Sequence, residues 1–542
     1  MSVLRSIERP GSVRAGQDGR KWWILAVLCL CVMVIGVDNT ILNVALPSIV
    51  RALDASGSQL QWMVDAYTIV FACLLLTAGS LGDRYGRRGA LTFGLLWFGT
   101  FSAVASTASS PAMVIAARAL MGVGGAFIFP TTLSILTNTF VDPLERGRAI
   151  GVWAGVSGIG IAVGPLAGGF LVERFGWSAV FLVNVPICAT ALLLTRIFVP
   201  GSGNRQESPL DPLGAALSIL ALVPLLYGII EAPDHGWVTP TTVTSFAVAA
   251  VFFVAFWVWE LRCDQPMLDV RFFHNPRFSA ASATITLTFF ALFGSTFLLT
   301  EYFQFILGYS PLKAGMMMAP VAVGLMAGGP VSPRLVERWG TTRVVVTGLT
   351  VVACAMTSYA SDTIMSSFSA GLFVRLLFGL GMGITAAPVT ESIMGSLPPH
   401  RAGVGSAVND TTRQTGGAVG VAVLGSVFAA RYHAAIGQLG SVPQALRATA
   451  RESIGTSLQV ARGLDRPQAV ALQRAAHHAF LASMRVTFGV GTAIVLVALT
   501  VAHRYLPARA LAPVPAAEIE PDAPEDEARH APLVISVENA SA

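Results

Sequence analysis

WWILAVLCLCVMVIGVDNTILNVALP, residues 22–47, carries a single charged side chain, Asp38. A bilayer core is crossed by roughly 20 apolar residues, so this stretch is long enough to span. It is too long for the apolar core of a cleavable leader, and the residues ahead of it, 1–21, are polar and Arg-bearing. It reads as a first span that stays in place. Similar stretches recur as far as His503, in a chain that is 54% hydrophobic and 12% charged. Soluble domains usually carry about a quarter charged residues. The expected class is an all-α polytopic membrane protein.

Apolar windows between charged or Pro/Gly-rich breaks predict fourteen spans. They fall near 22–46, 60–80, 89–108, 112–133, 149–171, 178–199, 211–231 and 243–261, then 278–300, 312–332, 343–361, 366–389, 403–430 and 483–503. An even count puts both termini on one side. Most Arg residues lie in the N-terminal arm, the loops at 81–90, 142–148, 200–210, 262–277, 333–343 and 397–402, and the C-terminal tail. The positive-inside bias makes that side cytoplasmic in a cell (inner) membrane. The loop 431–482 is then external although it contains several Arg; long loops translocate largely regardless of charge. Ala-rich segments after Pro443 and Pro467 predict that it is partly helical, and the Pro- and acid-rich tail 506–542 is expected to be disordered. The formal net charge of +5 is accounted for by this loop bias, so no nucleic-acid partner is expected. The six cysteines show no disulfide or metal-ligand spacing.

The halves echo each other. LGDRYG at 81–86 returns as LVERWG at 335–340, RALMGVGGA from Arg118 as RLLFGLGMG from Arg375, and RAIGV from Arg148 as RAGVG from Arg401. Three echoes in one order predict paired helical halves with a substrate site at their interface, as in secondary transporters. The expected organisation is an arm (1–21), a six-helix bundle (22–199), two additional spans with linkers (200–275), a second six-helix bundle (276–505) and the tail (506–542).

Four features carry chemistry. In GSLGDRYGRRGA, 79–90, Gly79, Gly82 and Gly86 allow a tight turn, while Asp83 can pair with basic neighbours among Arg84, Arg87 and Arg88. Such a cluster can lock one conformation and release it in another; an anchoring role on the basic side serves equally. Gly160, Gly164 and Gly168 recur every fourth residue and offer a flat face for helix packing, beside Pro165. Asp38 within a span is a functional candidate, able to take up a proton and lose its charge. Arg118 at membrane depth needs an acidic partner or a wet cavity.

These motifs resemble known patterns. The 79–90 loop resembles the signature of the major facilitator superfamily. Gly151, Gly160, Gly164-Pro165 and Gly168-Gly169 resemble the antiporter motif of its exporters, which is not expected in its symporters. GVDNTILNVALP, with Asp38, Thr40, Asn43, Ala45 and Pro47, resembles the first-span motif of the 14-span drug:proton antiporter family. The resemblance runs from about residue 22 to 505 and takes in FLVNVP, MLDVRFF and GSAVNDTTRQTGGAVG; Asn39 and Met121 depart from it. It implies two pseudo-symmetric six-helix bundles plus two extra central spans, 14 transmembrane helices in all. It also implies proton-driven export of small, lipophilic compounds such as drugs or antibiotics by alternating access, with Asp38 and Arg118 in proton coupling.

For substrate contact the candidates are Trp62, Asp65, Tyr67 and Glu301; a carboxylate beside aromatics suits a lipophilic cation. No enzymatic activity and no cofactor beyond the proton motive force are expected, since the chain lacks a GxxxxGK[ST] loop. The partners expected are the substrate, protons and the lipid bilayer, with the oligomeric state open. Two alternatives stand: a proton-coupled importer of a metabolite, and a membrane sensor or enzyme using the 431–482 loop. His433, His477 and His478 lack a carboxylate cluster, so no metal is expected.

Overall fold

The computed structural model describes residues 11–140, 142–201, 211–264, 266, 268, 270–361, 368–396, 402–437 and 449–506. The tail beyond 506, most of the 200–210 linker and the 438–448 part of the long loop lie outside the described residues.

The chain is helical from end to end of this set. α1 (Gly11–Leu53), α2 (Gly57–Tyr85), α3 (Arg87–Ser106), α4 (Pro111–Thr139), α5 (Pro143–Phe175), α6 (Ala179–Leu182) and α7 (Asn184–Phe198) form the first bundle. α8 (Pro212–His235) and α9 (Pro240–Arg262) follow. α10 (Pro276–Glu301), α11 (Pro311–Trp339), α12 (Thr341–Tyr359), α13 (Phe368–Met394), α14 (Ala402–Gly437), α15 (Ile454–Arg462) and α16 (Arg466–Tyr505) form the second. Among the described residues thirteen helical segments are long and apolar enough to cross a membrane; α2, with Asp65, Asp83 and Arg84 on it, is a further long helix packed between α4 and α14.

The starts are written in the sequence. α4, α5, α8, α10 and α11 each begin with Pro directly after Ser110, Asp142, Asp211, Asn275 or Ser310, whose side chain accepts a backbone N–H of the first turn. Proline lacks the N–H that has no partner there, and the cap satisfies one that remains. The repeated motif is a repeated turn. Gly86 and Gly340, at φ 110° and 83°, each end one helix and start the next, a backbone region that favours glycine. Two boundaries differ from expectation. The span near 178–199 is broken at Val183 into α6 and α7. The Ala-rich segment after Pro467 is continuous with the last span, because nothing in residues 467–484 interrupts helical backbone bonding.

The two bundles touch at the end carrying α15, here the distal end. Gln304 Nε2 donates to the Val44 carbonyl at 2.8 Å, and Leu312 N donates to Glu173 Oε2 at 3.3 Å. Gly169 lies against the Pro311–Leu312 backbone and Gly425 against the Gln61 side chain. Toward the terminal end, where α1 begins and α16 ends, the glycines of the same helices lie against open space. A Cβ built on Gly155 or Gly158 of α5, or Gly329 of α11, meets nothing within 4 Å. α8 lies along the seam and packs on both α2 and α14; α9 packs chiefly on α8 and turns Val251, Phe253 and Val254 outward.

Candidate functional site

Asp38 and Arg118, far apart in sequence, meet in the core of the first bundle. Arg118 Nη1 and Asp38 Oδ2 are 2.5 Å apart, and the two residues are 2% and 1% exposed. Buried charges are tolerable when paired and hydrogen-bonded, and the network supplies both conditions. Asn184 Nδ2 donates to Asp38 Oδ1 at 3.0 Å. Arg118 Nε donates to the Met63 carbonyl at 3.0 Å, and its guanidinium lies 4.3 Å from the Tyr67 ring centroid. The break in the sixth span serves this arrangement. It places Asn184 at the start of α7, and just before the break the Phe181 carbonyl accepts from Ser102 Oγ at 2.8 Å. Ser102 in turn accepts from Asn184 at 3.1 Å. Five helices, α1, α2, α3, α4 and α7, are thereby joined through one carboxylate.

The glycine motif backs onto this site. Gly160, Gly164 and Gly168 face Met33–Ile41 of α1, and a Cβ at Gly160 or Gly168 would come within 3.0 Å of its backbone. Pro165 and Gly169 face α11, where Gly315 and Leu312 meet them. α5 is thus clamped between the site-bearing α1 and the second bundle. The side-chain environment of Gly151 lies outside the described residues.

At the 79–90 turn, Gly79 and Gly82 press on Pro130 and Thr131 of α4, and Arg88 Nη2 donates to the Arg196 carbonyl at the end of α7 at 2.9 Å. Arg84 is exposed beside Tyr85. These contacts stay within the first bundle. The Asp83 side chain lies outside the described set, and Arg87 makes contacts of its own.

The four substrate candidates do not converge. Tyr67 is enclosed between Arg118, Phe71 and Phe98 in the first bundle's core. Trp62 turns to α8, donating from Nε1 to Glu231 at 3.2 Å. Asp65 is 0% exposed and neither carboxylate oxygen has a hydrogen-bond partner. Its helical position lies between Gln61 and Ile69, which pack on α14, so it belongs to the α2 face on the seam. Glu301 ends α10 on the other side of that seam, 7% exposed.

Sequence reasoning missed Ser102, Met63 and the role of Asn184, although FLVNVP contains Asn184. For Arg375 the sequence leaves a structural and a functional role equally open. This echo of Arg118 is the eighth residue of its helix, as Arg118 is, and equally buried. Yet it faces the Phe303 ring at 4.9 Å and Met317, and its Nε and Nη1 have no hydrogen-bond partner. The two halves therefore share a scaffold but not a charge pair.

Residues 28–421 match the family model described as Major Facilitator Superfamily. The chain is 35% identical over 482 residues to the multidrug efflux pump LfrA of Mycolicibacterium smegmatis, covering 89% of this chain and 95% of that protein. It is 31% identical over 496 residues to the tetracenomycin C resistance and export protein of Streptomyces glaucescens, covering 90% and 92%. A solved bacterial homolog of the human lysosomal transporter Spinster, inward-facing and occupied, aligns with a TM-score of 0.63 at 16% identity over 91% of this chain and 98% of that one. That likeness concerns the fold alone.

Proposed function

Because the chain belongs to the Major Facilitator Superfamily and is a membrane transporter, we propose that it exports small, lipophilic drug-like compounds in exchange for protons. The names of its relatives support drug or antibiotic efflux. The observation that carries proton exchange is the buried Asp38–Arg118 pair, because it is the ion pair on which five helices converge. In this reading both termini are cytoplasmic and the distal end is external, so the conformation described is closed outside and open inside.

In that state Asp38 is ionised and held by Arg118 and Asn184. When the outer end opens, a proton from outside neutralises Asp38, and the substrate leaves. Arg118 then loses its anion, and the helices held through that carboxylate are released to shift against α5. Closing the outer end and discharging the proton inward restores the pair. The proton gradient is the energy source; no cofactor enters the scheme. The substrate path runs along the seam, and Asp65, the uncompensated carboxylate on the α2 face, is placed on it. Trp62 serves by tethering α8 and Tyr67 by covering Arg118. The turn at 79–90, with Gly79, Asp83, Arg84, Gly86, Arg87 and Arg88, is assigned to the closing of the inner end.

The test is accumulation of a fluorescent lipophilic cation in efflux-deficient cells at matched expression. Intact protein is expected to lower accumulation, while Asp38→Asn or a protonophore restores it. If Asp38→Asn protein exports as well as the intact one, the coupling assignment is wrong. Equal accumulation in all conditions, repeated with anionic and neutral dyes, would refute export.

A further inference from the structure

At the distal seam a small chamber lies between the bundles. It is lined by Gln61 of α2, Phe297 and Glu301 of α10, Phe428 and Tyr432 of α14, and Glu452 of the long loop. Its interior has room for about two waters, far below the roughly 300 Å³ or more of a drug-sized pocket. It is therefore not a substrate pocket in this conformation. Glu301 is more than nine-tenths buried and has no hydrogen bond or ion pair among the described residues. Gln61 Oε1 is equally without a partner. Among the described residues no Lys, Arg or His lines the chamber; its other titratable groups are Tyr432, bonded to Ser457, and Glu452. His433 of α14, next to Tyr432, is paired with Asp234 at 3.3 Å, and Arg375 of α13 faces the Phe303 ring and makes no ion pair with Glu301. Directly after Glu301 the chain runs as a π turn, Tyr302–Ile306, a local irregularity frequent at functional sites.

An ionised carboxylate sealed here without a counter-charge is costly, whereas its protonated form is not. We infer that Glu301 is a proton-binding site, separate from Asp38, that is loaded from the distal side and must be neutral for the distal seam to close. The inference rests on the alternating-access reading above. Opening the seam hydrates Glu301 and lets it ionise; closure takes a proton from outside. The proton returns to the same side, so Glu301 adds a latch without adding to the exchange stoichiometry.

The test uses the full chain in nanodiscs, with Cys263 and Cys354 replaced by Ser and spin labels at Arg174 and Lys313, at the distal ends of α5 and α11. The separation is read between pH 5 and pH 9. The original protein is expected to be closed at low pH and to gain an open population as pH rises. Glu301→Gln should stay closed throughout, while Glu301→Asp, Glu452→Gln and Asp38→Asn retain the response. A Glu301→Gln protein that opens like the original overturns the inference and leaves the transport reading intact, as does loss of the response in Glu452→Gln alone. Labels that never move, with pH or with substrate, overturn both.

Discussion

Arg118 satisfies two acceptors at once, Asp38 through Nη1 and the Met63 carbonyl through Nε. Removing one partner of a buried pair leaves the other charge uncompensated, at about 3–5 kcal/mol. Arg118→Gln should therefore lower the thermal unfolding midpoint in detergent, and Asp38→Asn/Arg118→Gln should recover at least half of that loss. A double variant no more stable than the single would mean that Asp38 is not charged in this state. Arg118→Lys offers one compact ammonium where a fork is needed. It is expected to fold yet to slow export about tenfold or more, a loss of roughly 1.4 kcal/mol per factor of ten in the transition state. Asp38 and Arg118 were legible because a charge within an apolar run is costly and needs a partner, whether its role is structural or functional. Ser102 and Asn184 were not, because uncharged polar residues are common in spans and only the fold brings Asn184 to Asp38 and Ser102 to Asn184.

The helix α5 shows how one element can carry different loads along its length. A methyl group at Gly169 would strike the Pro311–Leu312 backbone, while one at Gly158 meets open space. Gly169→Ala should prise α5 from α11 and shift the population toward an open distal end, and Gly158→Ala should leave it unchanged. Distances between labels on the two helices measure both, and equal behaviour of the two variants would refute the seam. The four-residue glycine spacing revealed a packing face in advance, but which partner each glycine meets depends on folding. The long loop is an element of another kind. Burial, then the nearby Asp234, raises the Glu452 carboxyl above its ordinary range, opposed by His433. A raised folded value means that the docked loop binds the proton more tightly than the undocked one, so docking is favoured at low pH and weakens as pH rises through that range. Hydrogen exchange across 449–462 should accordingly speed up beyond the ordinary intrinsic rate increase as pH rises, and Glu452→Gln should abolish that excess.

For the whole molecule, the repeat visible in sequence describes a scaffold, and function lies where the halves differ. The first bundle holds the charge pair; the second holds Arg375 against Phe303 and Met317, residues from other helices whose convergence no local pattern announces. The accessory hairpin breaks the symmetry further. α8 is fastened to the first bundle through Trp62–Glu231 and lies on Ala418 and Ala422 of the second through Leu226 and Ile230. Near its distal end α8 also meets α14 through Asp234 and His433, 3.3 Å apart, so polar contacts fasten it to both bundles. Contact is tight at the distal seam, while Gly155, Gly158 and Gly329 lie against open space, and the proposed orientation makes this open end the one a solute reaches from the cytoplasm. With Cys263 and Cys354 replaced by Ser, Gly329→Cys should react with a membrane-impermeant thiol reagent in inside-out vesicles and not in right-side-out ones. Adding Gly169→Ala, which favours the distally open form, should slow that labelling several-fold. Labelling only from the outside would invert the orientation proposed here, and labelling indifferent to Gly169→Ala would show that the two ends of the seam do not move in opposition.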